Sequence, residues 1–548
     1  MKRLILFASF VALLVYADLP SRKPFPGFAR VKLSIRTDLG KPAGVRLRVT
    51  NAAGEYFAPL GHLPAYAQSR EPGDEILGDG KTSPYTLYAL VYDGAQIDLP
   101  PGAYTFSATK GFEYEPVRQV VEISTSGPNS VSLKLRKFAD FEARGWFPGD
   151  THLHFPDPAG VRYEMECEGL RVCSLLLYKG GLKTGKAGEG VFHNAQDFTG
   201  KLSPVSDSEH FIKVGEEFRS GLLAHLIFQN LKSIVWPVST GGLKENGPGG
   251  FDWPLMLHAA DDAHEQGALV SWAHFPYPSF EAPMDIALGR IDSIDLLTTG
   301  SPFEPHPVLI EDYKMHGPAA FALPPIEVYY HYLNCGFHLA ASGGSDKMGL
   351  NPPLGSARTY VRTDGPLTYD SWVEGIRKGH TFTSTYPLLE FSVDGKEAGE
   401  TLHLAPGKVK LHVRARARSI EAYDWLEVMY NGKAIRRVKP SGEQNDAAID
   451  DTIEVERGGW IAARAYGAKL LPYGATWWQQ PVFAHTSPIY LDMPGTHAPA
   501  GESAKLFLDQ LGYLERWAES QANFPSAESK QEALNRIAEA KQVYEKLN

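Results

Sequence analysis

Between Phe141 and Tyr386 the apolar residues of this chain come in short unbroken runs, and each run stops at polar or glycine-rich residues. "VCSLLLY" (Val172 to Tyr178), "ALVSWAH" (Ala268 to His274) and "HLAASGGSD" (His338 to Asp346) have this form. A run without alternation has no solvent face, so it predicts a strand buried on both sides, as in a parallel sheet. Helical stretches lie between the runs. "WPLMLHAADDAHEQG" (Trp253 to Gly267) ends on a glycine, a helix stop signal. Strands alternating with helices predict an α/β layer or barrel over residues 141–386. In such barrels chemistry gathers at the C-terminal strand ends.

The flanking segments are patterned differently. Over 28–140, Val31, Leu33 and Ile35 alternate with polar residues, as do Val45, Leu47 and Val49, and Val131, Leu133 and Leu135. Period-two patterning predicts half-buried strands and a small all-β domain. "DLPPGAYTFSATKGFEYEP" resembles the corner of transthyretin-like or carboxypeptidase-regulatory-like sandwiches. Alternation returns over 387–495, where Asn431-Gly432 marks a hairpin turn, and predicts a second β-sandwich. Over 501–548, Phe507, Leu511, Leu514 and Ala518 give one helical stripe; Leu534, Ile537, Tyr544 and Leu547 give another. Pro525 separates them and Ser526 can cap the second, which predicts a helical hairpin.

The chain has 548 residues, enough for several domains. Its net charge of -10, with no long basic block, excludes a nucleic-acid partner. Lys2 and Arg3 precede the apolar run Leu4 to Ala17, and small residues at Val15 and Ala17 fit a cleavage site. Residues 1–17 therefore read as a signal peptide. The run is shorter than the roughly 20 residues that span a bilayer, so no integral membrane association is expected after cleavage. The expected location is periplasmic or extracellular. Cys167, Cys173 and Cys335 cannot pair completely and lack zinc-site spacing, so a disulfide scaffold and a cysteine zinc site are both unsupported.

Candidate metal ligands recur at the ends of the central runs. "GWFPGDTHLH" offers Asp150, His152 and His154. Alternation puts the two histidines on one strand face, where they can chelate one ion. "VGEEFRSGLLAHLIF" offers Glu216, Glu217 and His225; "SWAHFPYP" offers His274; "ASGGSDKMG" offers Asp346. Each has a plainer reading alone: a solvated turn for the glutamates, a satisfied core histidine for His225, a helix N-cap for Asp346. Their order along successive strands favours one metal centre.

That order resembles the CehA/McbA-type metallohydrolases of the PHP (polymerase and histidinol phosphatase) superfamily. The matching motifs are "GDTHLH", Gly215-Glu216-Glu217, "LLAH", "WAHFP", "GGSDKM" and "GHTFTSTYPLLEFSVDGKEAG", over about half the chain. The resemblance implies a multidomain protein: a central α/β distorted (β/α)7 PHP-type barrel, flanked by N- and C-terminal β-sandwich domains and a C-terminal helical hairpin. It implies that His152, His154 and Asp346 hold one metal, that His225 and His274 hold a second, and that Glu217 bridges them, with Glu216 as the alternative. Asp150 is expected to orient an imidazole.

The departures matter. The superfamily's third metal uses a further histidine after the first motif, a "TDH" strand end and the last residue of "SDxH". Here "FPDPAG" supplies no histidine, Tyr178 and Lys179 stand at the strand end, and Met348 takes the last place. Two divalent metal ions (Zn, Mn or Fe) are therefore expected, with Lys179 supplying a fixed charge in place of the third. Two ions bridged by a carboxylate lower the pKa of a shared water toward 7. The expected activity is hydrolysis of an ester-type bond (phosphoester, or carboxyl or carbamate ester) in a small-molecule or ester-bearing substrate, with Arg358 binding a substrate anion. The rival reading is a secreted, non-catalytic metal- or carbohydrate-binding protein with a degenerate barrel.

Overall fold

The computed structural model describes residues 23–547 apart from 63–86, 127–128, 181–189, 242–246, 278–279, 299, 306–321, 349–351 and 472–479. The expected signal peptide, residues 1–17, lies outside the described residues. The fold is sheet-rich and multidomain.

The alternating N-terminal residues form two facing sheets. One holds β1 (Ala29–Thr37), β4 (Gly94–Leu99) and β7 (Asn129–Leu135); the other holds β2 (Gly44–Asn51), β3 (Ala89–Tyr92), β5 (Gly102–Thr109) and β6 (Val117–Ile123). Their inward residues, among them Val31, Ile35, Val45, Leu47, Val49 and Leu133, make an apolar core. Salt bridges join this domain to the next: Arg46 Nε lies 2.8 Å from Glu168 Oε1.

The central segment opens with β8 (Trp146–His154), α1 (Pro158–Glu168) and β9 (Val172–Gly180), followed by β10 (Val191–His193) and β11 (Phe211–Arg219). Strands β8, β9 and β11 pair in parallel, as the unbroken apolar runs predict. The next step departs from strict β/α alternation. β12 (His225–Gln229) folds straight back on β11 and is antiparallel both to it and to β13 (Leu269–Trp272). Parallel pairing then resumes through β14 (Ser293–Leu297) and β15 (Ala340–Gly343). Helices α2 (Met256–Glu265), α3 (Ala282–Ala287) and α4 (Pro325–Asn334) lie in the connections. The short β16 (Lys347–Met348) and then β17 (Arg358–Arg362) both pair with β8, and the sheet closes. The (β/α)7 expectation thus meets a mixed sheet in which His225 begins a strand rather than ending one. After α5 (Tyr369–Arg377) comes β18 (Thr381–Ser384).

The C-terminal β-rich segment is not separated from this sheet. β19 (Pro481–Thr486) pairs with β18 through Phe382↔Thr486, Thr383↔His485 and Ser384↔Ala484. A single apolar cluster runs from Trp146, Tyr360 and Phe382 to Leu411, Val428 and Ile461. The final hairpin, α6 (Gly501–Ser520) and α7 (Ala527–Glu545), buries Phe507, Leu511, Ile537 and Tyr544 in the cluster that also holds Trp272 and Tyr332. Ser526 caps α7, accepting from the Ser529 N–H at 3.2 Å. All three cysteines are buried and free. Among the described residues no helix is long and apolar enough to cross a membrane.

Candidate metal centre

Strand alternation decides which side chains face the inside of the closed sheet. On β8, Leu153 faces out into a cluster with Val161, Met165 and Leu175, so His152 and His154 face in. On β11, Glu217 and Arg219 share a face with their cross-strand partners Ile227 and His225. Ile227 meets Leu176 and Ala273 in the interior. The β11–β12 hairpin brings Glu217 and His225 together within a few residues of chain.

Six side chains converge there. His152 Nε2 lies 3.1 Å from His154 Nε2 and 3.3 Å from Asp346 Oδ1, which is 3.6 Å from His154 Nε2. Glu217 spans this group and the next: its Oε2 is 3.3 Å from His154 Nε2. Its Oε1 is 3.0 Å from His274 Nε2 and 3.1 Å from His225 Nδ1, and those two nitrogens are 3.3 Å apart. A tetrahedral ion with bonds of about 2.0–2.1 Å would hold its donors about 3.3–3.4 Å apart. The observed spacings bracket that value.

The donor chemistry fits a cation. His152 Nδ1 faces Asp295 Oδ2 at 3.2 Å, His154 Nδ1 faces the Leu176 carbonyl at 3.3 Å, and His274 Nδ1 faces the Tyr277 carbonyl at 2.9 Å. An imidazole that donates through Nδ1 turns its Nε2 lone pair to the other side. Lone pairs and carboxylate oxygens buried face to face repel unless a positive charge lies between them. Buried His152, His154, Asp346 and Glu217 and the half-buried His274 thus form overlapping groups that could hold a metal ion. His225 presents its Nδ1 to the same place.

Electrostatics set the two neighbouring glutamates apart. Burial pushes the Glu217 carboxyl up, but Arg219 and the neighbouring His154, His225 and His274 imidazoles outweigh it and hold Glu217 well below the usual carboxylate range. Glu216 faces the other way. It accepts from the Val235 N–H at 2.8 Å, and burial drives its carboxyl well above the usual range. Burial lowers His152, yet the Asp346 charge, the Asp295 hydrogen bond and Glu217 together raise it to about 9. Two of the clustered residues, His274 (φ 32°) and Asp346 (φ 44°), have left-handed backbone. Side chains rarely adopt that conformation unless the surroundings impose it, and such strain gathers at functional sites.

Other expected residues lie elsewhere. Asp150 is fully buried and orients backbone, not an imidazole: it accepts from the N–H groups of His152, Ser345 and Gly355 at 3.1, 2.9 and 2.8 Å. It thereby fixes the turn that carries Asp346. The imidazole partner is Asp295 on β14, whose other oxygen accepts from Ser342 Oγ at 2.9 Å. Lys179 alternates with Tyr178 and follows Leu175 and Leu177, so it belongs to the outer face of β9; burial lowers its pKa. Arg358 is also turned away from the cluster. Its Nη1 donates to the Glu168 carbonyl at 3.0 Å, its Nε donates to the Gly355 carbonyl at 2.7 Å, and its guanidinium sits 3.7 Å over the Phe112 ring. Arg358 fastens the N-terminal sandwich to the central sheet.

Tyr178 occupies the space beside His154, with ring centroids 4.8 Å apart, and stacks on His193 at 4.8 Å. Met348 pairs with His154 across β16 and β8. Sequence reasoning missed Asp295 and Arg219. A carboxylate inside the apolar run "SIDLL" was the signal for the first. A cation two residues beyond Glu217, hence on its face, was the signal for the second. No protein-family model matches the chain, and no curated protein matches it.

Proposed function

We propose that this protein is a dinuclear metal-dependent hydrolase of the PHP type that cleaves an ester-type bond and is exported from the cytoplasm. The observation that carries this reading is the position of Glu217, with Oε2 3.3 Å from His154 and Oε1 3.0 and 3.1 Å from His274 and His225, beside the His152–His154–Asp346 group. A carboxylate so placed suits a bridge between two divalent ions, with nitrogen and oxygen donors that fit Zn, Mn or Fe. When bound, such a pair supplies an activated water and a Lewis acid for the substrate oxygen.

The chain's own residues do the positioning. Asp295, Leu176 and Tyr277 hold three imidazoles in the tautomer that faces the cluster. Asp150 ties β8 to the segment around Asp346, accepting from the Ser345 N–H just before it, the Gly355 N–H beyond it and the His152 N–H on its own strand. The absence of a histidine at Tyr178, Lys179 and Met348 supports two ions rather than three.

Metal analysis of the purified full-length chain tests the reading, followed by assay on an aryl phosphomonoester, an aryl phosphodiester and an aryl carboxyl ester. Two equivalents of metal, with turnover lost to a chelator and restored by Zn, Mn or Fe, are expected. Fewer than two equivalents and no turnover with any divalent ion would reject it in favour of a binding protein.

A further inference from the structure

Arg219 is the last residue of β11, and its Nη1 lies 3.2 Å from Glu217 Oε2, the oxygen turned toward His154. Its guanidinium sits 4.9 Å over the ring of Tyr178, which is itself wedged between His154 and His193. Its backbone is clamped on both sides: its N–H donates to the Val238 carbonyl at 3.1 Å, and its carbonyl accepts from the Thr240 N–H at 2.9 Å. The side chain retains 21% exposure, whereas Glu217 has none. Arg219 therefore stands between the cluster and solvent.

We propose that Arg219 is the anion-recognition residue of this site, meeting a negatively charged substrate oxygen next to the bond that is cleaved. The inference rests on the dinuclear reading above. A guanidinium beside a carboxylate that bridges two cations opposes their binding, because like charges in a partly buried site repel strongly. That repulsion is offset when a further anion enters between the guanidinium and the ions. The planar fork of arginine matches two oxygens of a phosphate or carboxylate at once, and stacking on Tyr178 fixes the plane of the fork. The other basic residues of the neighbouring motifs are directed elsewhere. Lys179 is on the outer face of β9, Lys347 reaches the Pro352 carbonyl and Glu164, and Arg358 is bound to Glu168. The charge expected of Lys179 is thus supplied by Arg219. The substrate class that follows is an ester carrying a full negative charge at the reacting group, in preference to a neutral ester.

The test uses the full-length protein loaded with Zn or Mn, inorganic phosphate as the probe, and the Arg219→Gln and Arg219→Lys variants. Metal content and the thermal transition are measured for each. Phosphate binding is expected to weaken about 10- to 100-fold in Arg219→Gln with two metals retained, and to recover in part in Arg219→Lys. The loss of kcat/KM on an aryl phosphomonoester should exceed the loss on an aryl acetate at least about tenfold. Unchanged phosphate binding in a two-metal Arg219→Gln protein would overturn the proposal. So would loss of metal from that variant with an equal fall on both substrates, which would make Arg219 a positioning residue for Glu217. If the wild type holds two metals and binds phosphate through Arg219 yet hydrolyses no ester, the hydrolase reading falls and the anion site stands. If it holds no metals and binds no phosphate, both fall.

Discussion

The core of the N-terminal sandwich and the interior of the closed central sheet are both buried, but they are filled in opposite ways. The sandwich core is wholly apolar, built from Val31, Ile35, Leu47, Phe106 and Leu133. The sheet interior buries His152, Glu217 and Asp295 without exposure. One region gains from removing apolar area from water; the other holds charges that only partners can make tolerable. The difference teaches where sequence change is felt. In the first region size matters, and in the second it is the proton and charge inventory.

The largest expected effect comes from cancelling one charge in the interior. Glu217→Gln should cut ester turnover by about 1000-fold or more and weaken both metals, as metal analysis would register. Glu216→Gln, one residue away but facing outward, should leave two metals bound; if it is the variant that loses them, the assignment of the bridge is wrong. In the sandwich, Leu47→Ala should cost about 2–5 kcal/mol in denaturant unfolding while metal content stays at the wild-type level. A loss of metal there would show that the two regions are coupled. Asp295→Asn removes the acceptor behind His152 and should lower metal affinity about 10- to 100-fold in a chelator titration. The smallest effect concerns Glu113, at the junction between the two regions. Burial, opposed by Lys137 and the Phe141 N–H, takes its carboxyl from 4.5 up to about 7. The folded state therefore holds this proton more tightly than the unfolded chain. Its stabilising contribution is full below about pH 4.5 and lost as pH rises through about 7. Glu113→Gln should flatten the decline in stability between those values by about 1–3 kcal/mol.

The same contrast governs what was legible in the sequence. Period-two alternation wrote the sandwich strands openly, because each has one wet and one dry face. The central runs announced buried strands but not their direction. Nothing in "LLAHLIFQ" distinguishes an antiparallel return from a parallel strand after a helix, so the hairpin at His225 was invisible. The clustered set was legible because its residue types are costly to bury and recur in order. Asp295 is hidden inside an apolar run, and the nearness of Asp150 to His152 in sequence does not say that its carboxylate turns to backbone amides rather than to a ring. Arg358 and Lys179 were read by type alone. Strand parity removes Lys179 from the interior, and the contact with Phe112 accounts for Arg358.

The hydrogen-bonded seam between β18 and β19 bears on how this protein can be taken apart. A chain ending near Tyr386 would leave β18 as a bare edge beside the uncovered rings of Trp146, Tyr360 and Phe382. Unpaired edges next to apolar surface recruit other chains. The segment that carries the cluster is thus not a cassette that gene fusion could move to a new host by itself. Its shortest transferable form carries the strands beyond residue 386 with it.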